Sequence, residues 1–214
     1  METKQLAFIA MMSALGIALS IITLNLAPIF VAVPGQGIAA LDLSHLATFI
    51  AAFFGGPYVG AFVGFFSGIY AGYHFGYVAG NLGLLSLIGV PLGKAMTGLT
   101  SGFLFRKLGV NQPSRSSFLT IPIVLVSYIP ECLFTVFYFI YLIMIFYGSA
   151  WWFMIPLVIP KAWVEIFAMS IVMLALAGNT GFRNFVYRAF SVKTAALRRI
   201  EEKADRKELN AKPK

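Results

Sequence analysis

The stretch PYVGAFVGFFSGIYAGYHFGYVAG, Pro57 to Gly80, places glycine at every fourth position: Gly60, Gly64, Gly68, Gly72, Gly76 and Gly80. In water a glycine inside a helix costs about 1 kcal/mol relative to alanine, so this run is a poor soluble helix. Between membrane helices, where little hydrophobic force drives association, small residues four apart instead let backbones approach closely. A four-residue repeat drifts by about 40° per step on a straight helix. The stripe therefore crosses one partner right-handedly or serves several, and the helix that carries it becomes a central packing post.

The rest of the chain agrees with a membrane setting. Of its 214 residues 59% are hydrophobic and 11% charged, against about 25% charged in ordinary soluble domains. The formal net charge is +8, and Arg183 to Lys214, with ten Lys/Arg and four Asp/Glu, supplies +6 of it. The basic excess belongs to the tail, which suits anionic lipid or a partner rather than nucleic acid. The single cysteine, Cys132, excludes an internal disulfide or a cysteine metal cluster.

A span of about 20 apolar residues crosses a bilayer as a helix, and that ruler predicts six: roughly 5–24, 44–55, 57–75, 83–105, 117–147 and 151–178. The second is short, with Gly55-Gly56-Pro57 as a tight reversal into the third. With the N-terminus inside, the inner segments hold Lys4, Arg106-Lys107, Arg115 and the tail, while the outer loops hold no Lys or Arg. This pattern predicts an all-α integral membrane protein, a six-transmembrane-helix bundle with both termini inside. Residues 1–178 form the membrane domain and 179–214 a basic cytoplasmic tail. In that tail Phe182, Phe185, Val186, Phe190, Leu197 and Ile200 follow helical spacing opposite basic residues, as in an amphipathic surface helix, before a disordered end. The first span is longer than the apolar core of a signal peptide and its basic flank, Lys4, is offset by Glu2. It reads as a retained helix.

Charges at membrane depth are few: Asp42, Lys94, Glu131, Lys161 and Glu165, with His45 and His74 as titratable neighbours. Each charge near the bilayer centre costs about 2.5 to 3.5 kcal/mol, so these groups face inward. Lys161 and Glu165, four apart, pair on one helix face, and Lys94 with Glu131 completes a set of two positive and two negative charges. Pro91, Pro130, Pro156 and Pro160 accompany them. Backbone freed by a proline is tolerated where protein or a cavity covers it. Kinked helices carrying charge suggest a binding cavity, the alternative being a neutralised cluster that locks the helices. Tyr128, Tyr138, Tyr141 and Trp163 supply aromatic rings, while Trp151 and Trp152 fit an interfacial belt. Gln36 and Asn81 are further polar candidates.

Catalytic motifs fail. In GVPLGKAM the two glycines are one residue too close for a phosphate loop, and Lys94 is followed by Ala95. In GFFSG, Ser67 belongs to the glycine stripe and lacks the nucleophile-elbow pattern. The chain carries no visible engine of its own, and no enzymatic activity is expected.

Four features resemble the substrate-binding (S) components of energy-coupling factor vitamin transporters. In KQLAFIAMMSALGIAL, Ala10, Ala14 and Ala18 stand four apart with Ala7 extending the patch, which is similar to the family's docking surface for its transmembrane (T) component. ALDLSHLATFIAAFFGGPYVGAFVG resembles the family's D-x-S-x-x-P and G-P-x-x-G-A-x-x-G stretch, with Leu46 or Ala47 where proline is common. GVPLGKAMTGLTSGFLFRKLG is similar to its fourth helix with a basic inner end, and the helix count and length agree. The resemblance covers about residues 4 to 178. It implies capture of a vitamin-like molecule from outside, riboflavin- or pantothenate-type being possible, and uptake with a T component and two ATP-binding subunits in a prokaryotic plasma membrane. It further implies that Asn25 to Leu43 gates the ligand and that contacts come from that loop and the outer halves of the fourth to sixth helices. The candidate binding set is then Gln36, Asp42, His45, His74, Asn81, Lys94, Tyr128, Glu131, Lys161, Trp163 and Glu165. The tail departs from the family, whose members end soon after the sixth helix. An autonomous channel or proton-coupled carrier using Glu131, Lys161 and Glu165 as a relay is the alternative. For the alanine stripe, internal packing and docking of a partner are both open.

Overall fold

A computed structural model describes residues 3–26, 30–33, 37–78, 82–110 and 117–190, with 30–33 and 37–40 described by backbone alone. Gln36, Asn81, Arg115 and the end of the tail, 191–214, lie outside the described residues. The chain is mainly helical. Helix α1 spans Thr3–Ile21, continued by a π-helical turn to Leu26; strands β1, Phe30–Val33, and β2, Gly37–Ala40, follow. Next come α2, His45–Gly55, α3, Pro57–Tyr73, with a π turn to Val78, and α4, Gly83–Lys107. The remaining helices are α5, Thr120–Ser127, α6, Ile129–Phe137, α7, Ile143–Tyr147, α8, Ile155–Gly178, and α9, Thr180–Phe190.

Among the described residues, four helical stretches are long and apolar enough to cross a membrane: Thr3–Leu26, Gly83–Lys107, Ser117–Tyr147 and Trp152–Gly178. Their polarity is turned inward. On α4, Ile88, Leu92, Met96, Leu99 and Phe103 are exposed, and on α8 so are Val164, Phe167 and Ile171, whereas Asp42, Lys94, Glu131 and Glu165 are buried. Large apolar side chains facing outward over buried ions is the arrangement that lipid rewards and water penalises. Helix α2 has 11 residues, about 16 Å at 1.5 Å per residue, and is shorter than the hydrocarbon core.

Helix α4 is the common partner of the described glycines of the stripe. A Cβ built on Gly60 would stand 2.5 Å from the Gly98 carbonyl oxygen, on Gly68 2.7 Å from Pro91 Cα, on Gly72 2.8 Å from the Ser86 carbonyl oxygen, and on Gly76 2.6 Å from that of Gly83. Gly64 lies against the backbone of Lys94 in the same way. The register runs backwards along α4, so the two helices pack antiparallel, backbone on backbone, over their full shared length. Helix α4 follows the stripe from Gly60 to Gly76, and at Gly60 the Ala52 Cβ of α2 also stands 2.7 Å from the built position. Helix α3 also touches α1 and α2, so it is the packing post of this half of the molecule.

The α2–α3 reversal needs its glycine. Gly56 has φ +84°, a left-handed conformation that disfavours a side chain, and the Arg106 guanidinium packs over it while donating to the Gly55 carbonyl at 2.9 Å. Pro57 opens α3 in its first turn.

On α1 the buried residues are Phe8, Ile9, Met12, Ser13, Gly16 and Ser20, and Gly16 sits against Ser67 and Ala47. Ala7, Ala10, Ala14 and Ala18 are exposed. They do not pack internally: the spacing marked a small-residue face, but Gly16 rather than the alanines makes the close approach. Helix α9 turns its rings inward as well. Phe182 and Tyr187 meet Phe54 edge-on, with centroids 5.8 and 5.3 Å away, and Phe190 lies 4.8 Å from Phe8. Phe185 faces out.

Candidate functional site

In the second half of the chain one helix break coincides with a proline and another does not. Pro130 falls in the first turn of α6, so the break with α5 comes at Tyr128, and the Ser127 carbonyl left at that break accepts from Thr100 Oγ1 at 3.1 Å. A π turn over Tyr138–Leu142 separates α6 from α7, a device the sequence did not announce. Pro156 opens α8, while Pro91 and Pro160 lie inside α4 and α8.

These irregular helices and α4 enclose a cavity of about 450 Å³. Eight of the predicted binding residues line it: Asp42, His45, His74 and Lys94 from one side, Tyr128, Glu131, Lys161 and Glu165 from the other. Trp163 is not on the wall; it supports Tyr128 from behind, edge-on with centroids 5.5 Å apart. Trp151, expected at the membrane interface, lines the cavity instead, joined by Phe75, Phe134, Tyr138 and Phe139.

The sequence left the partners of Lys94 and Glu131 open. Lys94 Nζ meets Asp42 Oδ2 at 2.5 Å and also donates to Ser44 Oγ. Glu131 receives His45 Nε2 at 3.0 Å and Thr97 Oγ1 at 2.5 Å. Lys94 and Glu131 are thus not each other's partners. Lys161 and Glu165 do pair, 3.1 Å apart, as their i,i+4 spacing requires.

Asp42 is the hub. Its Oδ1 accepts from Ser20 Oγ at 2.9 Å and from the Ser44 amide at 3.0 Å, closing an Asx turn at the start of α2, and its own amide donates to Glu165 Oε1 at 2.5 Å. Its four partners come from α1, the α2 cap, α4 and α8.

Not every polar atom on the wall is satisfied. His45 Nδ1, His74 Nδ1, Ser86 Oγ and Tyr138 Oη are buried with no hydrogen-bond partner, whereas most such atoms in proteins have one. Ser86 and Tyr138 stand near one another outside hydrogen-bonding geometry.

Sequence reasoning missed Thr97, Ser86, Gly89 and Gly93. A signal was present: Ser86, Gly89, Gly93, Lys94 and Thr97 recur at three- and four-residue steps, one face of α4 around its buried lysine, Lys94. Among the described residues no group of three or more His, Cys, Asp or Glu side chains could hold a metal ion. The wall offers paired charges, aromatic rings and unfilled hydrogen-bonding positions for recognition. No family model, curated protein or solved structure matches this chain.

Proposed function

We propose that this protein is the substrate-capture subunit of an energy-coupling factor type importer, binding a vitamin or related small molecule and relying on a T component and two ATPases for uptake. The observation that carries the reading is the cavity: about 450 Å³, within the range of small-molecule sites, walled by rings and buried ions in a bundle whose outside is apolar. The absence of a phosphate-loop motif in the sequence fits a subunit that borrows its driving force.

In this reading the chain crosses a prokaryotic plasma membrane six times with both termini inside. Support comes from elements gathered at one end: Phe8 against Phe190, Phe54 against Phe182 and Tyr187, and Arg106 over the α2–α3 turn. That end carries the basic residues, as the positive-inside rule asks of a cytoplasmic face. The β1–β2 hairpin, with Phe30 opposite Ala40 and Val33 opposite Gly37, falls in the segment assigned as gate. The exposed Ala7, Ala10, Ala14 and Ala18 face is the docking surface for the T component.

The test is uptake. Cells expressing this protein together with its T component and ATPases accumulate the ligand, and omitting the ATPases abolishes accumulation. Flux into vesicles containing this protein alone, lost in Glu165→Gln, would establish the autonomous carrier instead.

A further inference from the structure

Building on the capture reading, we infer that the cavity selects an uncharged, fused-ring heteroaromatic molecule and rejects carboxylates, phosphates and fixed cations. The first ground is that each carboxylate and each lysine on the wall already has a hydrogen-bonding partner within the wall. Lys94 is held by Asp42 and Lys161 by Glu165, at 2.5 and 3.1 Å, and both oxygens of Glu131 lie within 3.1 Å of His45 Nε2 while one also accepts from Thr97. An anion would need a lysine freed from its carboxylate, and a cation would need a carboxylate freed from its donors. Either leaves a buried charge without a partner, which is the costly event in a low-dielectric site.

The second ground is what the wall leaves unspent. His74 Nδ1, Ser86 Oγ and Tyr138 Oη are neutral polar atoms, buried and unpartnered, on residues that line the cavity. A hydroxyl both donates and accepts, and a neutral imidazole offers one of each, so these groups suit the mixed donor and acceptor edge of a heterocycle. The third is shape and surface. Phe75, Phe134, Tyr138, Phe139 and Trp151 give the wall ring faces on several sides, favouring a flat aromatic guest. A volume of about 450 Å³ lies within the range of small-molecule sites and suits a molecule of two or three rings. Lys161 is consistent with this balance: its ammonium lies 5.1 Å from the centroid of the Phe75 ring while remaining paired with Glu165.

The experiment has two arms on the full-length protein gently purified in detergent. Mass spectrometry after denaturation identifies any retained small molecule. Isothermal titration calorimetry compares matched fused-ring probes that differ in charge: riboflavin against flavin mononucleotide, and guanosine against guanosine monophosphate, with lumichrome as the bare ring system. The expected result is a retained uncharged heterocycle or a binding uncharged probe, with the charged counterpart weaker by at least about 100-fold, the scale of burying an unpaired charge. Tyr138→Phe, which keeps the ring, weakens that binding by about 10-fold through the lost hydroxyl. A retained carboxylate, phosphate or permanent cation, or a charged probe that binds as tightly as its neutral partner, overturns the inference and leaves the capture reading standing. No retained molecule and no binding by any probe would overturn both.

Discussion

The two halves of this bundle solve the membrane problem in opposite ways. Where α3 meets α4, side chains are deleted so that backbone touches backbone, and Gly60 to Gly76 leave no room for another atom. Across α4, where α5 to α8 approach, the helices are broken at Tyr128 and at the Tyr138–Leu142 π turn, and the space between them is kept open and lined with ions. Helix α4 belongs to both. One face is read by the α3 glycines, while another presents Ser86, Gly89, Gly93, Lys94 and Thr97. The difference teaches that a rigid, side-chain-free contact can hold one wall of a site in place while the opposite wall is built from helices that bend.

If that division is right, the largest effect should come from the link that joins the halves. Asp42→Asn removes the counter-charge of Lys94, a buried group at 2% exposure, and should cost about 3 to 5 kcal/mol, the range for breaking a buried pair from one side. Thermal unfolding in detergent measures it. The double variant Asp42→Asn/Lys94→Met should recover most of the loss, since removing both charges leaves none unpaired. Failure of that recovery would show that Asp42 acts mainly through Ser20, Ser44 and Glu165, and the joint between the halves would then be a hydrogen-bond hub rather than an ion pair.

The same division marks how far the sequence could be read. Helix positions followed from apolar runs and from Pro57, Gly55 and Gly56, because membrane length and turn chemistry are local constraints. The Lys161–Glu165 pair was legible for the same reason: helix pitch alone brings residues four apart together. The partners of Lys94 were not. Whether it meets Asp42 or Glu131 depends on how α4 is rotated against its neighbours, and nothing within α4 records that rotation. The π turn over Tyr138–Leu142 left no proline or glycine to announce it, so the rings of Tyr138 and Phe139 could not be placed. Trp151 was misread because aromatics at a span end usually mark the interface. Here its amide bonds to the Phe139 carbonyl at 3.0 Å, which ties the start of the last span to the cavity wall.

A middle-sized effect should come from the glycine side. Gly64→Ala drives a methyl into the Lys94 backbone, which cannot rotate away, so α3 and α4 must separate. Overpacking of this kind costs about 1 to 3 kcal/mol. Unfolding temperature should fall accordingly, whereas Gly178→Ala, where the nearest atom to the new methyl is 3.6 Å away, should stay within about 0.5 kcal/mol, as at an unconstrained site. Equal effects at the two positions would remove the claim that backbone contact distinguishes this half.

The smallest stability change, and the most informative one, should come from the same substitution on the other face of α4. A methyl at Gly89 meets the edge of the Tyr138 ring. Unlike the backbone behind Gly64, this obstacle is a side chain with open space beside it, since Tyr138 and Gly89 both line the cavity. The ring can swing inward, so Gly89→Ala should lower stability by less than about 1 kcal/mol, and part of that is offset by the better helix propensity of alanine. What it should change is the space available. A displaced ring takes volume from the site and moves the Tyr138 hydroxyl, so ligand affinity should fall by about 10-fold or more while the unfolding temperature hardly moves. Gly64→Ala should show the reverse ratio. Finding stability and affinity lost in the same proportion in both variants would mean that packing and binding are not separated across α4, and that the cavity is held by the bundle as a whole.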